Sequence, residues 1–504
     1  MLVRPDGAAA VILDQLLAGF GAALDPINML FMAAGVALGI VVGILPGLGS
    51  VTALSILIPV TFYMSPLVAI AFLVGVNKGG TSGGAVPAIL LDAPGTPEAA
   101  ATALDGHPLC KAGMPVKAMK AALYSSVFGD TLSDILLILV AAPFAAFALQ
   151  FGPAEFTAIV LFSFTLIAGL SGRSLAKGII AAGLGVFLST IGLDPVESTP
   201  RMTFDVVELY DGISLNALAI GVLALSSVIQ QLFEMHRGGA SARQSISPDY
   251  DPAKNRLTAR EFWSNWRTLL RSAAIGSGIG MLPGLGVSLA AFLGYGSAKR
   301  ASKTPEKFGT GHLEGIMATE AANSAVVGAN LVPTIALGIP GNIAAALMIG
   351  AFMVHGVVPG PFMMESHGEL IYSIFASMLI ADGIHLVIGR LGIRIWGHIT
   401  RVPRTVILPV VVVLCVVGVY VPTQSMFDVG VMLVFGGLGY LMRRTGFSIV
   451  CLVIGFLLGP MFETSLRQTM LMYKSDLSVL VSSPIALVFV LLTLYSLWRF
   501  ARRR

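Results

Sequence analysis

GVALGIVVGILPGLG (35–49) and GSGIGMLPGLG (276–286) decide how this chain is read. Each is an apolar run stepped by glycines that stops at a Leu-Pro-Gly-Leu-Gly break. Gly39, Gly43, Leu45, Pro46, Gly47, Leu48 and Gly49 match Gly276, Gly280, Leu282, Pro283, Gly284, Leu285 and Gly286 at constant register. A second block follows each copy, in which Asn77, Val86, Pro87, Ile89, Leu91, Pro94 and Gly95 correspond to Asn323, Val332, Pro333, Ile335, Leu337, Pro340 and Gly341. Two matched blocks in the same order mark an internal repeat.

The solvent for these runs is lipid. Of 504 residues, 56% are hydrophobic and 12% charged, too little charge to coat soluble domains. Apolar stretches of about 20 residues recur, each sufficient for one helix through a hydrocarbon core of about 30 Å. The formal charge is +4, and its basic residues sit in short clusters between apolar stretches, a pattern of membrane topology rather than nucleic-acid binding. Cys110, Cys415 and Cys451 have no metal-ligand spacing and suggest neither a disulfide framework nor a metal site. The N-terminus has no small-residue cleavage site after a basic region and reads as retained rather than as a signal peptide.

Basic clusters at 111–120, 173–177, 237–271, 299–307, 390–404, 443–444 and 499–504 all fit on the cytoplasmic side if spans lie near 8–24, 121–148, 154–170, 174–192, 206–232, 367–389, 405–421, 428–442, 446–462 and 479–498. Both termini are then cytoplasmic. The second LPGLG has Arg267 and Arg271 before it and Lys299 and Arg300 after it, so its arms start from the cytoplasm; the first is flanked by Asp25 and the uncharged 61–65 and opens outward. The expected fold is therefore an all-α polytopic membrane protein of two inverted-topology repeats with re-entrant hairpins and broken helices, an elevator-like transporter architecture. The first half covers 1–235, with a hairpin at about 27–62 and a broken segment at about 66–110. A polar cytoplasmic linker, 236–262, precedes the second half, 263–504, with a hairpin at about 271–298, a broken segment at about 313–360 and C-terminal scaffold helices. Trp263, Trp266 and Trp498, near basic residues, suit the membrane interface.

Proline removes a backbone donor and glycine tolerates turns closed to other residues, so each Pro-Gly interrupts its helix. Broken backbone at membrane depth must be buried in protein or line a watery cavity. The half-helix after each break offers unpaired N–H groups and a positive dipole end to an anion. Gly47, Gly49, Ser50 and Thr52 at the first tip, and Gly284, Gly286 and Ser288 at the second, are the candidate substrate-binding residues, joined by Asn77, Gly95, Thr96, Asn323, Ser324, Gly341 and Asn342 of the second blocks. The alternative is that the glycines serve only close helix packing.

Lys78 and Asp92 are intramembrane charges expected either to pair structurally or to serve function, Lys78 as a positive contact for substrate and Asp92 as an ion-coupling group. Glu320 is the second ion-coupling candidate, one turn before Asn323 and Ser324, with capping or interhelical bonding as its alternative. Asp130, Asp134, His355, Asp382 and His385 are read as helix–helix contacts.

The LPGLG breaks, PGTPEAAATALDGHP (94–108), EAANSA (320–325), GIPGN (338–342) and HGVVPGP (355–361) together give a specific resemblance over nearly the whole chain. The chain resembles the large transmembrane (TctA-like) subunit of the tripartite tricarboxylate transporter family. That resemblance implies a multi-pass permease of the bacterial inner membrane working with a small membrane subunit and a periplasmic solute-binding protein. It implies uptake of di- or tricarboxylates such as citrate, driven by an ion gradient, Na+ or H+, with no other cofactor. The sequence departs from the family pattern at Lys78 in NKGGTSGG (77–84), at Asp92 where asparagine is usual, and at Thr319 where proline is common.

Other classes leave weaker traces. An intramembrane enzyme would need metal-spaced histidines, a nucleophile with its base, or a phosphate loop, and LPGLG lacks the lysine and Ser/Thr of the last. A passive anion channel would use the same repeats as a static pore.

Overall fold

Proline in the first turn sets off many of the helices, because a missing N–H costs nothing there. Pro26–Ile44, Pro66–Gly83, Pro115–Ala148, Pro153–Leu170 and Pro484–Ala501 all begin this way. The computed structural model describes every residue except 1–4, 46–47, 171–173, 195–196, 237–253, 283–285, 400–403, 475, 477 and 502–504. Apart from one antiparallel bridge pairing Gly192–Leu193 with Pro200–Arg201, the regular structure described is helical.

The chain is an all-α polytopic membrane protein. Six helices are long and apolar enough to span a bilayer: Pro26–Ile44, Pro115–Ala148, Leu215–Met235, Gly368–Ile393, Met426–Thr445 and Ile449–Met472, with further shorter apolar helices between them. The outward faces are as apolar as the inward ones. On the helix Arg404–Thr423, Val406, Val410, Val413 and Val417 form an exposed stripe at helical spacing, while Leu408, Val411, Cys415 and Val419 are buried on the other side. A water-soluble helix would carry charge on that outer stripe. Trp263, Trp266 and Trp498 are likewise about half exposed.

The expected span 206–232 starts too early. Gly192–Leu193 and Pro200–Arg201 form the small bridge, Val207–Leu209 is a 3-10 turn, and the helix begins only at Leu215 behind the Ser214 cap. This segment meets the two arginines that lie away from the basic ends, Arg201 of its own and Arg467 of Ile449–Met472. Arg201 reaches Glu463 at 2.7 Å and Arg467 reaches Asp194 at 2.8 Å, so each guanidinium meets a carboxylate. The linker also ends earlier than 262. Its residues 237–253 lie outside the described residues, but Asn255 accepts from Val116 N at 3.0 Å, Lys117 pairs with Glu261 at 2.5 Å, and Phe262 is buried against the start of Pro115–Ala148. A buried aromatic and a satisfied amide make 254–262 part of the fold.

Close backbone contacts give the direction of neighbouring helices. A Cβ added to Gly39 would meet Val76 O at 2.3 Å and one added to Gly43 would meet Gly80 O at 2.3 Å, so Pro26–Ile44 and Pro66–Gly83 run in parallel. Gly49–Leu57 and the 3-10 turn Ile58–Tyr63 carry the chain back between them as a hairpin. The second copy repeats the contact at matching positions: Gly276 against Ala322 O at 2.2 Å and Gly280 against Val326 O at 3.0 Å join Trp266–Gly280 to Leu313–Ala329.

The two copies face opposite ways. Lys78 bonds Asp382 and Ser82 bonds His385, so Pro66–Gly83 runs with Gly368–Ile399. Thr131 bonds Asp382 while Leu123 lies under Gly389, so Gly368–Ile399 runs against Pro115–Ala148. Gly129 sits on Ala321 and Gly328 on Asp134, so Pro115–Ala148 runs with Leu313–Ala329. The corresponding helices Pro66–Gly83 and Leu313–Ala329 are thus antiparallel.

Directions also sort the charges. Gly455 packs on Ala182 and Gly459 on Ser189, so Leu175–Ser189 and Ile449–Met472 run together, and Lys177 Nζ donates to Thr445 O at 2.6 Å at their common basic end. The N-terminal helix Pro5–Ala23 departs from expectation. Gly19 lies against Tyr372 and Gln15 near Gly368, so it runs with Gly368–Ile399 and continues into Pro26–Ile44 without the reversal that a separate 8–24 span requires. Asn28 Nδ2 bonds Ala22 O and Ala23 O across the joint and holds that continuation.

Candidate functional site

Each copy closes its hairpin tip onto its own second break. In the first copy Gly49 takes φ +64° as it opens the returning helix, and in the second Gly286 does so at +73°, a backbone region in which a side chain is strained. Pro46, Gly47, Pro283 and Gly284, the tips themselves, lie outside the described residues. Around the first tip, a Cβ on Gly80 would meet Ser50 at 2.8 Å, one on Gly84 would meet Thr96 Cγ2 at 2.8 Å, and one on Gly95 would meet Gly43 O at 2.3 Å. Around the second, a Cβ on Gly341 would meet Gly280 O and Asn330 Cβ, both at 2.9 Å. Gly95 with Gly43 and Gly341 with Gly280 are equivalent pairs, so the same closure is built twice.

Short helices of equal length follow, Ala85–Leu91 and Leu331–Leu337. Both end in the left-handed region, at Asp92 (φ 51°) and Gly338 (φ 70°). Asp92 is exposed at that helix end, far from the expected salt bridge with Lys78. A short polar side chain is one of the few that tolerate this conformation, so Asp92 stands where glycine stands in the other copy. Asn342 caps Ile343–Val354 by accepting from Ala345 N at 2.9 Å. Ser50, Thr52, Asn77, Thr96, Asn323, Ser324 and Asn342 are buried, whereas Gly286 and Ser288 are half-buried. The start of the returning helix is therefore more open in the second copy than in the first.

Leu313–Ala329 and its surroundings hold several unsatisfied polar groups. Both side-chain amide atoms of Asn323 and of Asn330, together with Ser324 Oγ and Ser277 Oγ, are buried with no hydrogen-bond partner among the described residues. Native interiors leave few such groups. Glu320 on the same helix is satisfied, accepting from Thr102 Oγ1 and from Ser126 Oγ at 2.8 Å.

Lys78 is fully buried and faces carboxylates rather than a tip. Its Nζ donates to Asp134 Oδ2 at 2.6 Å and to Asp382 Oδ1. These partners replace the expected Lys78–Asp92 pair and draw together Pro66–Gly83, Pro115–Ala148 and Gly368–Ile399. Asp130 and His385 complete the cluster, with His385 Nδ1 3.9 Å from Asp130 Oδ2 and its Nε2 2.6 Å from Ser82 Oγ. An ion pair so buried is offset by its desolvation, and its disruption costs about 3–5 kcal/mol. The sequence carried a signal for this: one lysine and three aspartates in otherwise apolar helices must find each other.

Comparison with known proteins adds the family. The model of the Tripartite tricarboxylate transporter TctA family matches residues 29–454. The chain belongs to the tripartite tricarboxylate transporter TctA family. A relative from Agrobacterium vitis, an uncharacterized 52.8 kDa protein in the TAR-I ttuC' 3' region, is 33% identical over 475 residues, 94% of this chain and 93% of the relative. A second uncharacterized protein of Agrobacterium vitis, in the TAR-II ttuC' 3' region, is 37% identical over 211 residues, 42% of this chain and 87% of that relative. No solved structure matches the chain. In this TctA-family member the motif residue Asp105 has a packing role: its Oδ1 accepts from Gly309 N, Gly311 N and His312 N at 2.8 to 2.9 Å, tying the first copy to the entrance of Leu313–Ala329. His355 of HGVVPGP meets Thr61 at 3.2 Å and ties the first hairpin to the second copy.

Proposed function

We propose that this chain is the large permease subunit of a tripartite carrier that takes a di- or tricarboxylate across the bacterial inner membrane by alternating access. The observation that carries the reading is the pair of glycine-broken hairpins running in opposite directions, each with a positive-φ glycine opening a new helix. Such ends present amides and a positive dipole to a carboxylate, and oppositely directed copies supply two equivalent end states. The unpaired amides of Asn323 and Asn330 and the hydroxyl of Ser324 support a polar guest beside the second copy. Ser50, Thr52, Asn77, Thr96, Ser288 and Asn342 are the further ligands proposed from the breaks, with Gly47, Gly49, Gly95, Gly284, Gly286 and Gly341 giving the approach. Lys78 is withdrawn from that list, because its ammonium is committed to Asp134 and Asp382.

The basic helix ends are cytoplasmic under the positive-inside rule, which places the C-terminus inside. A small membrane subunit and a periplasmic binding protein complete the carrier, a Na+ or H+ gradient drives it, and the hairpins slide past the scaffold helices. The chain acts as a carrier rather than an enzyme. Proteoliposomes holding the three subunits test this reading with labelled citrate, succinate and malate under separate sodium and proton gradients. Saturable, gradient-dependent accumulation is expected; uptake that is linear in concentration and indifferent to both gradients would leave a pore instead.

A further inference from the structure

The cluster around Lys78 has more negative groups than one ammonium can balance. Three aspartates from two helices, Asp130, Asp134 and Asp382, are buried around it, and Glu320 is buried on Leu313–Ala329, whose Ala321 packs on Gly129 beside Asp130. Asp134 and Asp382 hold the lysine, and Asp382 Oδ2 also accepts from Thr131 Oγ1 at 3.0 Å. Asp130, 1% exposed, has no hydrogen-bond partner on either oxygen among the described residues, and His385 Nδ1, also buried and without a hydrogen bond among them, lies 3.9 Å from it. A buried carboxylate with no hydrogen bond is neutralised by taking up a proton.

A cavity borders the histidine of this pair. A narrow cavity of about 30 Å³, room for about one water, touches Ser82 and His385 and continues past Gly389 to Ile393 and Trp396, towards the basic end of Gly368–Ile399. A metal-like cation fits the cluster less well than a proton does. Lys78 Nζ already fills the point between Asp134 and Asp382 where a monovalent cation would rest, and no three acid, histidine or cysteine side chains among the described residues converge on another point.

We propose that Asp130 is the proton-carrying group of the transporter, with Lys78, Asp134 and Asp382 as its fixed electrostatic frame and His385 with the adjoining cavity as its route to solvent. A proton bonds to a carboxylate oxygen of Asp130 to give the neutral acid. On release that O–H bond breaks and the proton bonds to His385 Nδ1, while the proton on His385 Nε2 leaves towards Ser82 and the cavity that both line. Because Asp130 is on the helix that packs along Leu313–Ala329, through Gly129 on Ala321, its charge acts beside the unpaired Asn323 and Ser324. The inference rests on the carrier reading above, and the experiment separates the two.

Infrared difference spectra of the purified full-length chain between acidic and alkaline pH detect a protonated carboxylic acid by its carbonyl band without any substrate. The band is expected in the wild type and lost in Asp130→Asn, a same-size change that removes an unpaired buried charge; a band unchanged in the variant overturns the proposal. In proteoliposomes with both partner subunits and no sodium, the wild type is expected to accumulate one of the labelled acids under an imposed pH gradient, and Asp130→Asn to lose at least tenfold of that accumulation. Accumulation by the wild type that follows only sodium, or wild-type accumulation by the variant, overturns the proton site while the carrier reading stands. No uptake by the wild type under either gradient removes the carrier reading and the coupling role with it.

Discussion

Lys78, placed among valines and glycines in sequence, finds its two counter-charges 56 and 304 positions away, at Asp134 and Asp382. Lys78→Met strands those two carboxylates, so thermal unfolding in detergent is expected to reveal a loss of about 3–5 kcal/mol. Adding Asp382→Asn to that variant is expected to return part of it, because one stranded charge is removed. Asp92 is the opposite case. Asp92→Gly puts at φ 51° the residue that the second copy uses at Gly338, so stability is expected to hold or rise by up to about 1 kcal/mol with uptake unchanged. Loss of uptake in that variant would return Asp92 to the coupling machinery. The sequence identified both residues as unusual, but nothing along the chain separates a buried charge from a helix-ending one, since both are polar letters in an apolar run.

At the level of elements, glycine spacing converts into helix contact. Gly39 and Gly276 each lie so close to a neighbouring carbonyl that an added Cβ would stand 2.3 Å and 2.2 Å from it. Gly39→Ala and Gly276→Ala are therefore expected to push paired helices apart and lower the yield of folded protein, with costs of about 1–3 kcal/mol each. Gly278→Ala, on the same helix as Gly276 but with nothing within 4 Å, is the control and is expected to behave as wild type. Gel filtration and thermal melting measure all three. The steps 35, 39, 43 and 276, 280 were legible as one face of a helix, because a four-residue step returns to nearly the same side. Which partner each face meets was not legible, since any small-residue face fits any other.

For the whole molecule, the opposed directions of Pro66–Gly83 and Leu313–Ala329 make a prediction that needs no substrate. Ser65 and Thr310, exposed at the starts of these corresponding helices, are expected as single cysteines to react with an impermeant maleimide from opposite sides of the membrane. The natural Cys110, Cys415 and Cys451 are buried and give little background. Labelling of both from one side would remove the opposed arrangement and the alternating-access reading built on it. The order of apolar runs and basic clusters was enough by itself to give a polytopic helical protein, and the motifs its family, because lipid imposes helices and positive charge sorts their ends. The sequence could not tell that Pro5–Ala23 continues into the first hairpin instead of turning back, since no lysine or arginine near that joint records a direction. Only tertiary structure decided that Lys78, Asp130, Asp134, Asp382 and His385 share one buried cluster, because their meeting depends on which faces of three distant helices turn inward together.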